Sequence, residues 1–166
     1  MSVRPLCIAP HHVLRQHAQP VARLTEEVKC LAHDLVDTMY ANDGIGLAAP
    51  QVGRAVQMFV ANPSQRRGRE LIVINPVVEA TQGRTSVVEG CLSLPNAWER
   101  VHRAARVRLS GQDAQGNPLR IHAEGLLAIV LQHEFDHLQG RLFVDRLSWF
   151  RRRRLPLQNV PHGTCV

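Results

Sequence analysis

The chain has 166 residues, a hydrophobic content of 45% and a formal net charge of +6. This length accommodates one domain with a substantial core, and no stretch approaches the roughly 20 apolar residues that span a membrane. With only 4% aromatic residues, the chain lacks the stacking surface of a dedicated single-stranded nucleic-acid binder. Specific DNA binding is not expected either.

The N-terminal region does not have the pattern of a signal peptide. Its apolar run from Leu6 to Pro10 is short and is followed at once by histidines and an arginine. We therefore expect a cytoplasmic protein. The four cysteines are widely and irregularly spaced, at Cys7, Cys30, Cys91 and Cys165. That spacing favours reduced thiols over a disulfide framework.

The first predicted helix begins after Thr25. Thr25 can cap it, and the acidic pair Glu26 and Glu27 suits the positive N-terminal end of a helix dipole. An apolar stripe follows at helical spacing, formed by Leu24, Val28, Leu31, Leu35 and Met39. The sequence Asn42-Asp43-Gly44 is expected to end the helix.

Residues 44–53 are unusually rich in glycine and small side chains, which allow close approach to the backbone. A phosphate-binding loop is a poor fit, because neither G-x-G-x-x-G nor G-K-[ST] is present. Gln51 is the only polar side chain between Gly44 and Gly53. We interpret the segment as a tight wall beside a pocket.

Several later segments have the composition of β-strands: 56–60, 71–74, 77–80, 106–109 and 119–122. A turn at residues 113–117 joins the last two into a hairpin. The solvent face of this hairpin is predicted to carry Arg106, Arg108, Arg120 and His122. The order of elements predicts a single α+β domain over residues 1–166. In it, antiparallel or mixed sheets pack around a helix that carries the sequence HEFDH.

That helix is predicted between Gly125 and Gly140, a stretch without internal glycine or proline. His133 and His137 lie four residues apart, so they share one face and can bind one divalent metal ion. Glu134 lies near such a metal without ligating it, where it can act as general base. A surface helix with two incidental histidines is the alternative. The apolar histidine side of the helix argues against it.

A catalytic metal site of this type needs a third protein ligand and an open position for water. Downstream of His137 the only carboxylate is Asp145, which lies beyond Gly140, where the helix should have ended. Upstream, Cys91 lies between Gly90 and a short apolar segment. A buried free cysteine is more often a packing residue than a ligand, so the residue pattern alone leaves the third ligand open.

Three motifs together resemble the signature of the peptide deformylase family, in the family's order and at its usual separations. They are Gly44–Gln51 (GIGLAAPQ), Glu89–Ser93 (EGCLS) and His133–His137 (HEFDH). The resemblance extends over roughly residues 8–148. It implies a bacterial hydrolase that removes the N-formyl group from the N-terminal formyl-methionine of nascent polypeptides and releases formate.

The resemblance also implies residue roles. Cys91, His133 and His137 would bind one divalent metal, usually Fe²⁺ in the family, with Zn²⁺, Ni²⁺ or Co²⁺ able to replace it. Glu134 would act as general base, while the Leu92 backbone N–H and the Gln51 side chain stabilise the developing oxyanion. Substrate-binding positions matched to the family are Ile45, Gly46, Val87, Glu89, Leu126 and Ile129, with His133 beside the methionine side chain.

The chain departs from the family pattern at two places. Asn96-Ala97-Trp98 stands where some members carry an arginine near the substrate rim. This predicts an altered preference beyond methionine, unless Trp98 simply packs on the surface. From about residue 148 the chain continues as a short basic tail that includes Arg151–Arg154, where many bacterial members have a long helix that contacts the ribosome. Ribosome docking through this tail is an open expectation.

Two other functions remain to be compared with deformylation. An HExxH-type metallopeptidase is disfavoured by the context of Cys91 and by the missing downstream ligand. A non-catalytic, metal-containing relative that binds nascent chains or the ribosome would not need Glu134 or Gln51, yet both are present.

Overall fold

The computed structural model describes residues 2–155, which form an α+β unit as predicted. The helices are α1 (Glu26–Ala41), α2 (Gly125–Leu138) and α3 (Trp149–Arg152). The strands are β1 (Gly46–Ala48), β2 (Met58–Ala61), β3 (Leu71–Gln82), β4 (Thr85–Cys91), β5 (Leu94–Arg103), β6 (Arg106–Gln112) and β7 (Pro118–Glu124). Short 3-10 helices cover His12–Arg15, Ala49–Val52 and Phe143–Arg146.

The strands form two separate antiparallel sheets. Five of them pair in the order β1-β2-β3-β6-β7, while β4 and β5 form a two-stranded hairpin of their own. Helix α2 packs on the larger sheet through Ala128, Val130 and Leu131, which are buried together with residues of β2, β3, β6 and β7. The prediction that the sheets pack around the HEFDH helix is therefore confirmed.

Helix α1 forms where capping and periodicity predicted it. The Thr25 side chain accepts a hydrogen bond from the Val28 N–H, and Asn42 caps the other end. The stripe faces inward: Leu31, Leu35 and Met39 are buried against β1 and β2. Burying these side chains, rather than helix propensity, accounts for most of the stability of such a helix.

Strand β3 corrects the prediction of two separate strands at 71–74 and 77–80. The two predicted strands are one continuous strand, because Asn75 and Pro76 lie in a register shift of the pairing with β6. Proline has no N–H to donate to a neighbouring strand. It is tolerated here because a residue in a bulge is left out of the regular hydrogen-bond pairing. The Asn75 side chain fixes the position by bonding both the N–H and the carbonyl of Val21, at 2.8 and 2.9 Å.

The β4–β5 hairpin was not predicted, although it spans residues 85–103. Strand β5 does alternate: Ala97 and Val101 are buried, while Trp98 and Arg100 are exposed. The alternation is hard to recognise in the sequence because the next inward-facing residue is Arg103, a charged side chain at a buried position. The predicted β6–β7 hairpin is confirmed, and its four basic side chains are exposed.

The prediction of four reduced thiols is wrong for Cys7, which is buried and disulfide-bonded. Cys30 and Cys91 are free thiols, one exposed and one half-buried. Cys165 lies outside the described residues. Within residues 2–155, no helix is long and apolar enough to cross a bilayer.

Two valines of the same strand give a matched test of this core. Val73 is fully buried, whereas Val77 is 57% exposed. Val73→Ala removes two methyl groups from a packed site, so we expect a loss of about 2–3 kcal/mol in unfolding free energy. Val77→Ala should change it by less than about 0.5 kcal/mol. Equal midpoints of denaturant unfolding for the two variants would contradict this assignment of the core.

Candidate metal centre and its pocket

Three potential metal ligands converge from two elements. The ligand atoms of Cys91, His133 and His137 all lie within 4.8 Å of one another. Helix α2 supplies both histidines from one face, and Cys91 is the last residue of β4. The Cys91 Sγ is 3.3 Å from the His137 Nε2. Asp145, the other sequence candidate, instead pairs with Arg15 and Arg152.

Glu89 orients the first histidine. Its Oε2 lies 2.9 Å from the His133 Nδ1, which leaves the other ring nitrogen for the metal position. Burial alone would raise the pKa of Glu89, but hydrogen bonds from Arg103 and His133 outweigh it and lower the pKa to about 2. Glu89 is therefore a fixed anion behind the histidine.

A buried ion network behind Glu89 was missed by sequence reasoning. The side chain of Arg103 is fully buried and donates to both oxygens of Glu89, at 2.7 and 2.8 Å, and to Asp136 at 2.5 Å. Arg146 donates to Asp136 as well, at 2.6 and 2.5 Å. The one feature of the sequence that could have indicated this network is Arg103 itself, a charged residue at an inward-facing position of β5. Only the tertiary structure brings it to α2.

The electrostatics of the three ligands suit a cation. Burial lowers the pKa of His137 well below its usual value, which keeps this imidazole neutral, as a metal ligand must be. Burial also opposes protonation of His133, yet hydrogen bonds to Cys91 and Glu89 raise its pKa well above the usual value. The position between thiol and carboxylate thus favours positive charge. A thiolate with two imidazoles suits Fe²⁺, Co²⁺, Ni²⁺ and Zn²⁺ alike, so the residues fit a divalent metal.

Glu134 lies beside these ligands, and its electrostatic environment is the opposite of that of Glu89. It is 3% exposed, and its Oε2 has no hydrogen-bond partner among the described residues. Burial is the main cause that raises its pKa to about 7. Gly46 faces this carboxylate: a Cβ at Gly46 would lie 2.9 Å from both the Glu134 Cδ and the Val130 Cγ1. The close backbone approach inferred for the Gly-rich segment is thus real at this position.

Gln51 lies on the other side of Cys91, in the 3-10 helix that follows β1. Its Oε1 accepts the Ala48 N–H at 2.9 Å, which turns the amide nitrogen toward the site. That nitrogen is 3.6 Å from the Cys91 Sγ and 3.3 Å from the Ser93 Oγ. Leu92 begins the tight turn between β4 and β5, directly after Cys91.

A cavity of about 420 Å³ opens from this centre to the surface. It is lined by every residue predicted for substrate binding: Ile45, Gly46, Val87, Glu89, Leu126 and Ile129. Leu126 is 47% exposed, because it lies in the first turn of α2, at the pocket mouth. Two further rim residues, Val88 and Trp98, line the cavity as well.

Comparison with known proteins agrees with this geometry. The family model described as polypeptide deformylase matches residues 3–153. The peptide deformylase of Acinetobacter baumannii (strain SDF) is 42% identical over 156 residues, which cover 93% of this chain and 89% of the relative.

Solved structures agree as well. A peptide deformylase from Legionella pneumophila has a TM-score of 0.90 at 39% identity, covering 92% of this chain and 90% of the other. One from Synechococcus elongatus, in complex with actinonin, has a TM-score of 0.85 at 42% identity, covering 89% and 82%. The chain therefore belongs to the polypeptide deformylase family.

Proposed function

We propose that this chain removes the N-formyl group from formyl-methionyl nascent peptides by metal-dependent hydrolysis, releasing formate. The observation that carries this proposal is the convergence of Cys91, His133 and His137 beside the buried Glu134, with Cys91, His133 and Glu134 lining one pocket. The geometry supplies three ligands, a base and room for a side chain, which together are what metal-assisted amide hydrolysis needs.

We assign Cys91, His133 and His137 as the metal ligands. A divalent ion bound there supplies Lewis acidity and makes a water molecule acidic enough to attack near neutral pH. We propose Fe²⁺ as the cellular ion, while the donor set also accepts Zn²⁺, Ni²⁺ and Co²⁺. Glu89 holds the His133 ring through the Nδ1 and thereby keeps its ligating nitrogen directed at the site.

Glu134 is the proposed general base. Its unpartnered Oε2 accepts the proton of the attacking water and then passes it to the departing amine. Two features suit this role. Burial raises its pKa to about 7, close to cellular pH, where proton exchange is most efficient. Gly46 leaves the space beside the carboxylate free of a side chain.

Gln51 and Leu92 are the proposed oxyanion donors. The Gln51 amide is held by the Ala48 N–H, so its nitrogen is already oriented when charge develops on the formyl oxygen. The Leu92 backbone N–H follows Cys91 directly in the turn, which brings a second donor to the same region. Each such donor contributes about 10²–10³ in rate in comparable enzymes.

The substrate is proposed to bind as an added strand. Among residues 2–155, strand β1 is at an edge of the large sheet and β4 pairs only with β5, so both have an unpaired edge at the pocket. An extended peptide can bond to Gly46 by its main chain, which does not depend on its sequence. The methionine side chain then occupies the apolar space lined by Ile45, Val87, Leu126 and Ile129.

We also propose where the protein acts and what it docks on. A cytoplasmic location follows from the substrate, since nascent formylated peptides emerge there. Docking on the ribosome through the segment from residue 148 is supported by its charge and exposure: Trp149 and Phe150 are 60% and 72% exposed, next to Arg151 and Arg152. Basic side chains of this kind suit a polyanionic surface.

Cys91 and Cys30 provide a matched test of the third ligand. We expect Cys91→Ala to lose bound metal and formate release from formyl-Met-Ala-Ser, because two imidazoles alone hold a divalent ion weakly. Cys30→Ala changes an exposed thiol outside the site and should keep both properties. Metal content and formate are measured on anaerobically prepared, Ni²⁺-loaded protein. A parent that binds metal yet releases no formate would favour a non-catalytic binding protein instead.

Glu134→Gln tests the base, since the amide keeps the shape of the side chain but cannot accept the proton. We expect kcat to fall by about 10²–10⁴ while metal content stays at the parent level. Glu79→Gln, at an exposed position of β3, is the control and should retain full activity. If Glu134→Gln turns over as fast as the parent, Glu134 is not the base.

Arg103→Met tests the support behind His133. Removing this cation leaves Glu89 and Asp136 buried with fewer partners, so we expect a loss of about 3–5 kcal/mol in unfolding free energy. Metal affinity should fall by about 10–100-fold in the fraction that folds. The exposed Arg108→Met serves as the control. The proposed support fails if the two variants match in denaturant midpoint and in Zn²⁺ affinity measured by chelator competition.

A further inference from the structure

The pocket mouth carries an unusual share of the exposed apolar surface. Of the seven large hydrophobic side chains exposed within residues 2–155, three line this one cavity. They are Val88, Trp98 and Leu126, which are 52%, 67% and 47% exposed. Apolar side chains grouped at a cavity rim, rather than scattered singly, indicate a surface that binds something apolar.

Trp98 is held in place despite its exposure. It stands opposite Gly90 in the β4–β5 pairing, on the same face of the hairpin. A Cβ added at Gly90 would lie 2.6 to 2.8 Å from three carbon atoms of the indole ring. The ring therefore lies directly against the Gly90 backbone, a contact that only glycine permits. The ring thus contacts β4 at Gly90, while the side chain remains 67% exposed and lines the cavity.

The position of the ring relative to the reacting group limits what it can contact. Gly90 immediately precedes Cys91, and an extended peptide advances about 3.3 Å per residue. A peptide whose formyl group is at the metal centre, and whose methionine lies in the cavity, thus passes the ring with its next one or two residues. Arg100, the nearest charged residue on this hairpin face, donates to Ser86 and does not line the cavity.

We propose that Trp98 is a specificity-determining residue that selects substrates with an aromatic or large aliphatic side chain at one of the two positions after methionine. This inference rests on the proposed deformylation and concerns the same pocket. An indole fixed against the backbone offers a flat apolar surface that is already ordered, so little conformational entropy is lost when a side chain packs on it. Aromatic side chains gain the additional attraction of ring pairing.

The test compares four formylated peptides: formyl-Met-Phe-Ser, formyl-Met-Ser-Phe, formyl-Met-Leu-Ser and formyl-Met-Ser-Ser. One of the two phenylalanine peptides places its aromatic side chain at the position that contacts the ring. For the Ni²⁺-loaded parent we expect kcat/KM for that peptide to be about three- to tenfold higher than for formyl-Met-Ser-Ser. The difference should appear in KM rather than in kcat, because the contact is remote from the formyl group and is made equally in the ground and transition states.

Three variants separate selection from structure. The ratio to follow is kcat/KM for the preferred phenylalanine peptide divided by kcat/KM for formyl-Met-Ser-Ser. Trp98→Ala should reduce this ratio to about two or less, and Trp98→Phe should restore most of the preference. Trp149→Ala removes the exposed tryptophan that does not line the pocket and should leave the ratio unchanged. The inference is wrong if the parent has no preference, if Trp98→Ala keeps it, or if Trp98→Ala weakens all four peptides equally.

A binding measurement keeps this inference distinct from the proposed reaction. Calorimetric affinities for the unformylated peptides Met-Phe-Ser, Met-Ser-Phe and Met-Ser-Ser do not depend on turnover. If formate is never released but the parent binds the phenylalanine peptide more tightly and Trp98→Ala does not, the role of Trp98 stands and deformylation falls. If all three peptides bind equally to the parent, the role of Trp98 falls whatever the protein does with formyl groups.

Discussion

The buried side chain of Arg103 is the interaction on which the site depends most. Glu89 comes from the hairpin and Asp136 from α2, so the guanidinium joins two parts of the fold that the chain itself does not connect directly. A buried arginine is tolerated only when its donors are satisfied, because its desolvation is expensive. The hairpin can therefore dock on the helix in few ways, and Cys91 is fixed relative to His133 and His137.

Arg103 also helps to give two neighbouring carboxylates different pKa values. Glu89 and Glu134 are both buried, yet their pKa values are moved in opposite directions, to about 2 and about 7. Burial raises both. Glu89 has Arg103 and His133 in direct contact to reverse the effect, whereas one Glu134 oxygen has no hydrogen-bond partner within residues 2–155. One carboxylate is thus suited to hold a histidine and the other to exchange a proton.

The spacing of apolar residues along the sequence predicted the elements in which that spacing is regular. It failed where a buried charge or a long-range contact determines the structure. Helices α1 and α2 have a cap or a glycine boundary and apolar faces, so their limits were predictable. Strand β3 was divided by Pro76, whose tolerance depends on a bulge against β6. The β4–β5 hairpin was missed because the charged Arg103 faces inward. Its partner Asp136 lies 33 residues away on α2, and sequence periodicity cannot predict such a long-range contact. Family resemblance predicted that the residues of the three motifs share one site, and the structure brings them together, but the ion network behind them was not predicted.

In the proposed function, peptide binding and chemistry meet at the cavity that lies between the two sheets. Unpaired strand edges invite association with other chains, and proteins usually keep them short or covered. The edge of β1 is only three residues long, and within the part of the chain that the structure describes β4 pairs with one strand, β5. Both edges border the same cavity, beside the ligands and Glu134. Edges that would be a liability on an open surface are thereby confined to the place where the proposed extended substrate would bind. The main chain of the peptide can be held without reading its sequence, which leaves selection to the few side chains at the mouth.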